Sequence, residues 1–199
     1  MVGVGPGGIR SVLARVSIVD YNGKCIFDTF VRVDEKVTDY RTFVSGVREK
    51  DLLSPQAMDF GMCRQHVMKV LRNKILVGHG LQNDLSVLHL SHPWCNTRDT
   101  SLYEPYMQQS NPYNNYGYHG EGVLVLRPRR LRDLARVYLG VLIQQAGQEH
   151  DSLEDARAAM LLYKEVQSEW DYWVTTCTST QNNCNSNPQP PSYQFIPNH

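Results

Sequence analysis

Three side chains of this 199-residue sequence have the types and positions for acid–base or metal chemistry: Asp84, His150 and Asp155. Asp84 follows a short apolar run over 74–77 and a Gly-His-Gly turn, which puts its carboxylate in the first turn of a helix read over 81–90. That is near the carboxyl end of a strand, where open α/β sheets keep their ligands. Acids in first turns also serve as plain partners of the helix dipole, and spacing leaves both readings open. Asp155 closes Ser152-Leu-Glu-Asp155, a capping box by pattern, and a box needs no chemistry. His150 lies just ahead of the same helix, so one of the pair could bind a divalent cation while the other takes a proton from water. The competing reading of His150 is a solvent-exposed histidine without a function.

Other motifs carry less. Gly3-x-Gly5-x-x-Gly8 matches the dinucleotide fingerprint by letter, but that motif works after a strand and at the start of a helix. Here almost nothing precedes it and a strand follows, so a flexible glycine turn is expected. The Gly-x-Ser-x-Gly elbow of a hydrolase triad is absent. Arg127, Arg129, Arg130 and Arg132 read either as a track for phosphates or as the solvated start of a helix.

The elements that must carry these residues alternate between strand and helix signals. Residues 11–20 and 25–33 are rich in β-branched side chains and flank Tyr-Asn-Gly-Lys, which predicts a β-hairpin. Helices are expected over 54–71, opened by Ser-Pro, over 81–90, over 130–139 closed by Gly140, and over 152–173. The last offers Ala156, Ala159, Met160, Leu162, Tyr163 and Val166 for burial. An α/β fold, a mixed sheet covered by helices, is the packing such a list requires. Residues 112–122, rich in Gly, Asn and Tyr, read as a surface loop. Residues 175–199 hold no Asp, Glu, Lys or Arg, so one domain over 1–173 is expected, followed by a disordered polar tail over 174–199.

Apolar residues make up 41% of the chain, enough for an ordinary core, and 20 basic residues balance 20 acidic ones. A general coating of nucleic acid or membrane by charge is thereby excluded, and an anionic partner must be held locally. No run of about 18 apolar residues is present to span a bilayer, and the glycine-rich start lacks the basic flank and apolar centre of a secretory signal. A soluble intracellular protein with no membrane partner is expected. Five cysteines (Cys25, Cys63, Cys95, Cys177, Cys184) are odd in number and lack Cys-x-x-Cys spacing, which favours reduced thiols.

Four blocks make the chain familiar: Val-Thr-Asp-Tyr-Arg-Thr-x-Val-Ser-Gly at 37–46, Ile-Leu-Val-Gly-His-x-Leu-x-Asn-Asp-Leu at 75–85, Arg-Asp-Thr at 98–100, and His150-x-x-x-x-Asp155-Ala. Together they resemble the RNA exonuclease 4 and interferon-stimulated exonuclease group, members of the DEDDh 3′→5′ exonucleases, and the likeness runs in order from Met1 to about residue 170. The resemblance implies a ribonuclease H-like fold in which four carboxylates hold two divalent cations, Mg²⁺ or Mn²⁺, that clamp the scissile phosphate. By the same likeness Asp84 is the third carboxylate and Asp155 the fourth. His150 becomes the general base, a histidine ordinarily titrating near about 6.5 and so suited to drawing a proton from metal-bound water. Met1 and Arg41 fall beside the terminal nucleotide. The implied substrate is the 3′ end of single-stranded RNA or DNA, the implied state a monomer, and the implied setting ribosomal RNA processing in the nucleus or nucleolus.

Relatives of this group carry Asp-x-Glu-Met-Val-Gly at the end of their first strand, and this sequence starts at that Met. The expectation is a domain truncated at its N-terminus, its first strand largely missing together with two metal-binding acids. Unpaired backbone groups in the centre of the sheet would each cost about 1–3 kcal/mol. Asp20, Asp28, Asp34 and Glu35 are nearby, but none follows a first-strand position. Three outcomes remain open on the sequence: a 3′→5′ exonuclease impaired in this form, a catalytically inert nucleic-acid-binding remnant, or a fragment that does not fold.

Overall fold

The computed structural model describes residues 1–110 and 125–180. The expected loop over 112–122 and the tail beyond residue 180 lie outside the described residues. The chain opens with β1 (Val2–Val4), β2 (Arg10–Val12), β3 (Arg15–Val19), β4 (Cys25–Phe30) and β5 (Val37–Asp39), then α1 (Thr42–Ser45), α2 (Glu49–Leu52) and α3 (Phe60–Leu71). After these come β6 (Leu76–Gly78), α4 (Leu81–Val87), β7 (Thr97–Asp99), β8 (Gln108–Ser110), β9 (Val125–Arg127), α5 (Leu131–Leu134), which runs into a π turn over Ala135–Leu139, and α6 (Ser152–Thr180). This is a ribonuclease H-like α/β arrangement of short strands flanked by helices.

Residual pieces of sheet replace one continuous sheet. β1 lies between β2 and β5, antiparallel to both, with Val2 opposite Val12 and Gly3 opposite Asp39. The expected hairpin forms as β3–β4, Arg15 opposite Phe30, around a turn in which the Asp20 carboxylate accepts from the amides of Asn22 and Lys24. The strand read over 11–20 is broken at Leu13–Ala14, so β1 pairs only with the part before the break. β6 and β7 are parallel, and β8 and β9 antiparallel.

The Gly-rich segment is a tight turn rather than a flexible one. A Cβ on Gly3 would meet the carbonyl oxygen of Gly8 at 2.5 Å, and one on Gly8, whose φ is +66°, would meet Cβ of Asp39 at 2.6 Å. Only glycine permits that approach.

Two helix boundaries differ from expectation. Residues 54–58 are not helical: Met58 exchanges backbone hydrogen bonds with Phe30 and Arg32, which holds it extended, and Asp59 caps α3 by accepting from Gly61 and Met62. Ser54-Pro55 resembles a helix start, yet the capping carboxylate stands five residues later. Conversely α6 continues to Thr180, so residues 174–180 are helix and not disordered tail. Val174 is buried with Trp170 against Tyr103, and the hydroxyls of Thr175, Thr176, Thr178 and Ser179 donate to carbonyls three or four residues back. Burial and back-bonding give order to a stretch whose composition alone suggests none.

The largest core cluster joins α6 (Ala159, Leu162, Tyr163) to α5 and to Tyr106, whose hydroxyl donates to the Leu162 carbonyl. Buried Arg98 on β7 donates from Nε to Asp171 of α6 at 2.8 Å, and Tyr163 donates to the other oxygen of the same carboxylate at 2.7 Å. These contacts fix α6, and with it Asp155, relative to the β6–β7 pair.

Candidate active site

Asp84 and Asp155 line the same cavity, Asp84 from the first turn of α4 and Asp155 from the first turn of α6. What frees Asp84 from a capping role is Asp99. This buried carboxylate at the end of β7 accepts from the amides of Gly80 and Leu81, each at 2.8 Å, and from both the amide and the hydroxyl of Ser101. The positive end of α4 is thus already neutralised, and Asp84 lines the cavity while remaining partly open to solvent. Burial pushes its carboxyl up to about 6; the Met1 ammonium pulls it down and the Asp99 charge adds to the rise.

Asp155 is likewise not part of a capping box. Asp151 fills the capping position, accepting from the Leu153 amide, while the Ser152 hydroxyl reaches across to Ser17 at 2.6 Å. Half-buried Asp155 accepts instead from the Gln144 side chain at 2.9 Å. Burial raises its carboxyl above the usual range, with the Gln144 hydrogen bond and the charge of His150 working against that rise. His150 therefore stands within electrostatic reach of Asp155, its amide donating to the Phe43 carbonyl of α1 at 3.2 Å.

The amino group of Met1 is within electrostatic reach of Asp84 and Arg41. Burial lowers its pKa, while Asp84 favours the charged form. The Arg41 guanidinium donates to Ser11 Oγ at 2.8 Å and to the Gly8 carbonyl at 2.6 Å, bracing the glycine turn. The structure thus puts Met1 near Asp84 and Arg41, and His150 near Asp155; of these five predicted residues Asp84 and Asp155 line the cavity. Among the arginines after β8, Arg127, Arg130 and Arg132 are exposed and Arg132 faces Asp133 at 3.9 Å, as a solvated helix start does.

Spacing gave no hint of Asp99 or Gln144 in this site. Asp99 lies inside the Arg-Asp-Thr block, and a helix opening on Gly80 without a capping side chain of its own was the available signal. For Gln144 there was none. Of the nearby acids, Asp28 pairs with Arg15 and Ser17 and Glu35 with Arg10, while Asp20 lines the cavity with its carboxylate accepting from the Asn22 and Lys24 amides.

Among the described residues no three His, Cys, Asp or Glu side chains lie close enough to cage a metal ion. Asp84 and Asp155 are oxygen donors of the kind a hard cation takes, and Mg²⁺ is commonly held by one or two carboxylates with water and phosphate completing its shell. They do not suit the two-ion, four-carboxylate set that the resemblance implies.

The raised carboxyl of Asp84 fixes a pH dependence. A native pKa near 6 against an unfolded value near about 4 means that the folded chain binds more protons in between, so stability is expected to fall as pH rises from about 4 to 6. Asp155 acts in the same direction. Asp84→Asn should flatten that slope and raise the melting temperature at pH 7, read by thermal melts at half-unit pH steps; an unchanged slope would refute the assignment.

A family model described as exonuclease (RNase_T) matches residues 6–163. Proteins named RNA exonuclease 4 are similar: that of Mycosarcoma maydis is 44% identical over 171 residues, covering 86% of this chain and 41% of the relative. The Homo sapiens protein is 46% identical over 171 residues, covering 86% and 36%. The chain thus spans well under half of these relatives. Among solved structures, the Saccharomyces cerevisiae Pan2 pseudoubiquitin hydrolase-RNA exonuclease module in complex with A7 RNA aligns with a TM-score of 0.67 and 27% identity, over 90% of this chain and 29% of that one.

Proposed function

The chain belongs to the exonuclease (RNase_T) family, and from that premise we propose that it is an RNA exonuclease domain that hydrolyses phosphodiester bonds from the 3′ end. The observation that carries this reading is the presence of Asp84 and Asp155 on one cavity, each with its carboxyl pushed up by burial. A desolvated carboxylate pair of this kind has a functional use for a cation and a structural cost without one. Exonucleases of this family generally use divalent metal ions; here the two acids would hold Mg²⁺ or Mn²⁺, which supplies positive charge against the scissile phosphate. His150 serves as the base that receives the proton of the attacking water. Met1 and Arg41 stand where a terminal nucleotide would enter. The substrate we assign is single-stranded RNA, with single-stranded DNA as the alternative. Ribosomal RNA processing and a nuclear or nucleolar location follow from the resemblance alone.

Mn²⁺ titration tests the metal role without turnover. At neutral pH millimolar Mn²⁺ is expected to raise the melting temperature by several degrees, and Asp84→Asn or Asp155→Asn should remove most of that gain. Equal stabilisation of the wild type and both variants would place the ion elsewhere.

A second reading has one observation in its favour: among the described residues no three His, Cys, Asp or Glu side chains could hold a metal ion together, and the Met1 ammonium already offsets Asp84. In that form the chain is an inert nucleic-acid-binding remnant. Metal-independent RNA binding that weakens with salt, with no shortened product, distinguishes it from the enzyme.

A further inference from the structure

Four of the chain's 20 basic residues, Arg127, Arg129, Arg130 and Arg132, fall within six positions, and the sequence holds no acid between 122 and 132. Arg132 faces Asp133 at 3.9 Å. The other three form no ion pair among the described residues, and β8, which sets Gln108 opposite Arg127, brings no acid to β9 either. The Nε of half-buried Arg129 is closed to solvent and has no hydrogen-bond partner among the described residues. An unpartnered guanidinium donor is the kind of group that an anionic ligand satisfies.

These arginines have a fixed relation to the acids. Arg130 is exposed yet lines the same cavity as Asp84 and Asp155, and Leu131 beside it is buried in the largest core cluster. The backbone of Arg129 lies within hydrogen-bonding reach of the His79 imidazole, in the Gly-His-Gly turn ahead of Asp84. From Arg130, which is extended with φ −69° and ψ 145°, the chain leads back through Arg129 and Pro128 to Arg127 at the end of β9, where all three residues are exposed. Proline fixes its own φ, so this stretch is a stiff spacer, and three residues span up to about 10 Å.

We propose that Arg130, Arg129 and Arg127 bind backbone phosphates of a single-stranded RNA whose 3′ end occupies the cavity, so that the strand leaves the site over β9. The inference rests on the reading of the cavity as the seat of an RNA end, and adds the path of the rest of the strand. A chain with no net charge holds a polyanion only through such a local cationic row, and carboxylates lining the cavity make that row more necessary. Charges set along an extended segment suit a linear polyanion, and the planar guanidinium matches phosphate oxygens in pairs.

The test is fluorescence anisotropy of a 5′-labelled oligouridylate of about ten nucleotides, titrated with the full chain in EDTA between about 50 and 200 mM KCl. Each of Arg127→Gln and Arg130→Gln is expected to weaken binding severalfold and to lower the slope of log affinity against log salt by about 0.7, the share of one phosphate contact on a single strand. With Arg129→Gln added to both, the slope should fall by about 2. Arg127→Lys should keep the slope, and Arg132→Gln, whose arginine faces Asp133, should leave both affinity and slope unchanged. Wild-type slope in Arg127→Gln and Arg130→Gln, or an equal loss in Arg132→Gln, would overturn the track while leaving the RNA reading standing. No binding by the unaltered chain would remove both. Displacement of the RNA by a hexaglutamate peptide as readily as by unlabelled RNA would also overturn the proposal, and would assign the arginines to an acidic protein partner.

Discussion

Extension of the chain at Met1 by an apolar strand ending in Asp-x-Glu is expected to raise Mg²⁺-dependent shortening of a 5′-labelled single-stranded RNA by about 10³-fold or more. Without it the chain offers Asp84 and Asp155 from first helical turns on the cavity, and an ammonium within electrostatic reach of Asp84. An extension changes three things together. It converts the Met1 ammonium into a neutral amide, it places apolar residues ahead of β1, and it adds two carboxylates of the kind the two-ion arrangement needs. Loss of one well-placed electrostatic group commonly costs about 10²–10³ in rate, so restoring two acids accounts for the size of the expected gain. In the extended chain Asp84→Ala should take the gain away, and His150→Ala should reduce the rate while leaving Mn²⁺ stabilisation intact. An unextended chain that already shortens RNA rapidly, with Asp84→Ala abolishing that activity, would mean that two acids suffice. An extended chain that stays inert although folded would remove the nuclease reading.

The parts of this site that sequence makes legible are those in which neighbouring residues act together. The Asn-Gly turn folds the β3–β4 hairpin as local turn chemistry requires, and Asp84 and Asp155 stand in first helical turns where strand and helix signals place them. Locality fails wherever a distant group takes over a local role. Asp155 looks like a capping residue until Asp151 is seen to cap α6 and Gln144 to bind Asp155. Ser54-Pro55 looks like the start of α3 until Met58 is found bridged to the strand ending at Phe30. The helix over 174–180 was hidden for the opposite reason. Its composition is that of a disordered tail, and its order comes from Val174 and Trp170 packing on Tyr103, a contact between segments some seventy residues apart.

Asp99 is where this non-local logic has its largest consequence for stability. One buried carboxylate accepts from Gly80, Leu81 and twice from Ser101, so it serves as the cap of a helix 18 residues earlier in the chain. Asp99→Ala would leave those amides without partners at a site almost closed to water. A lost cap costs about 0.5–2 kcal/mol and an unsatisfied buried donor about 1–3, so a loss of about 3 kcal/mol is expected. For a chain of this size that corresponds to a fall of about 6–12 °C in melting temperature. Asp99→Asn keeps one acceptor oxygen and should cost less. The isosteric variant has a second readout that a purely structural role elsewhere would not move. Removing the Asp99 charge takes away one cause of the raised Asp84 carboxyl, so Asp84 should titrate at lower pH in Asp99→Asn, followed by carboxyl carbon chemical shifts. It also removes a charge that favours protonated His79, whose pKa burial already lowers, so that imidazole should titrate lower still. If Asp99→Asn left the Asp84 titration where it was, α4 would not be coupled to β7 through this carboxylate, and the placement of Asp84 would need another support.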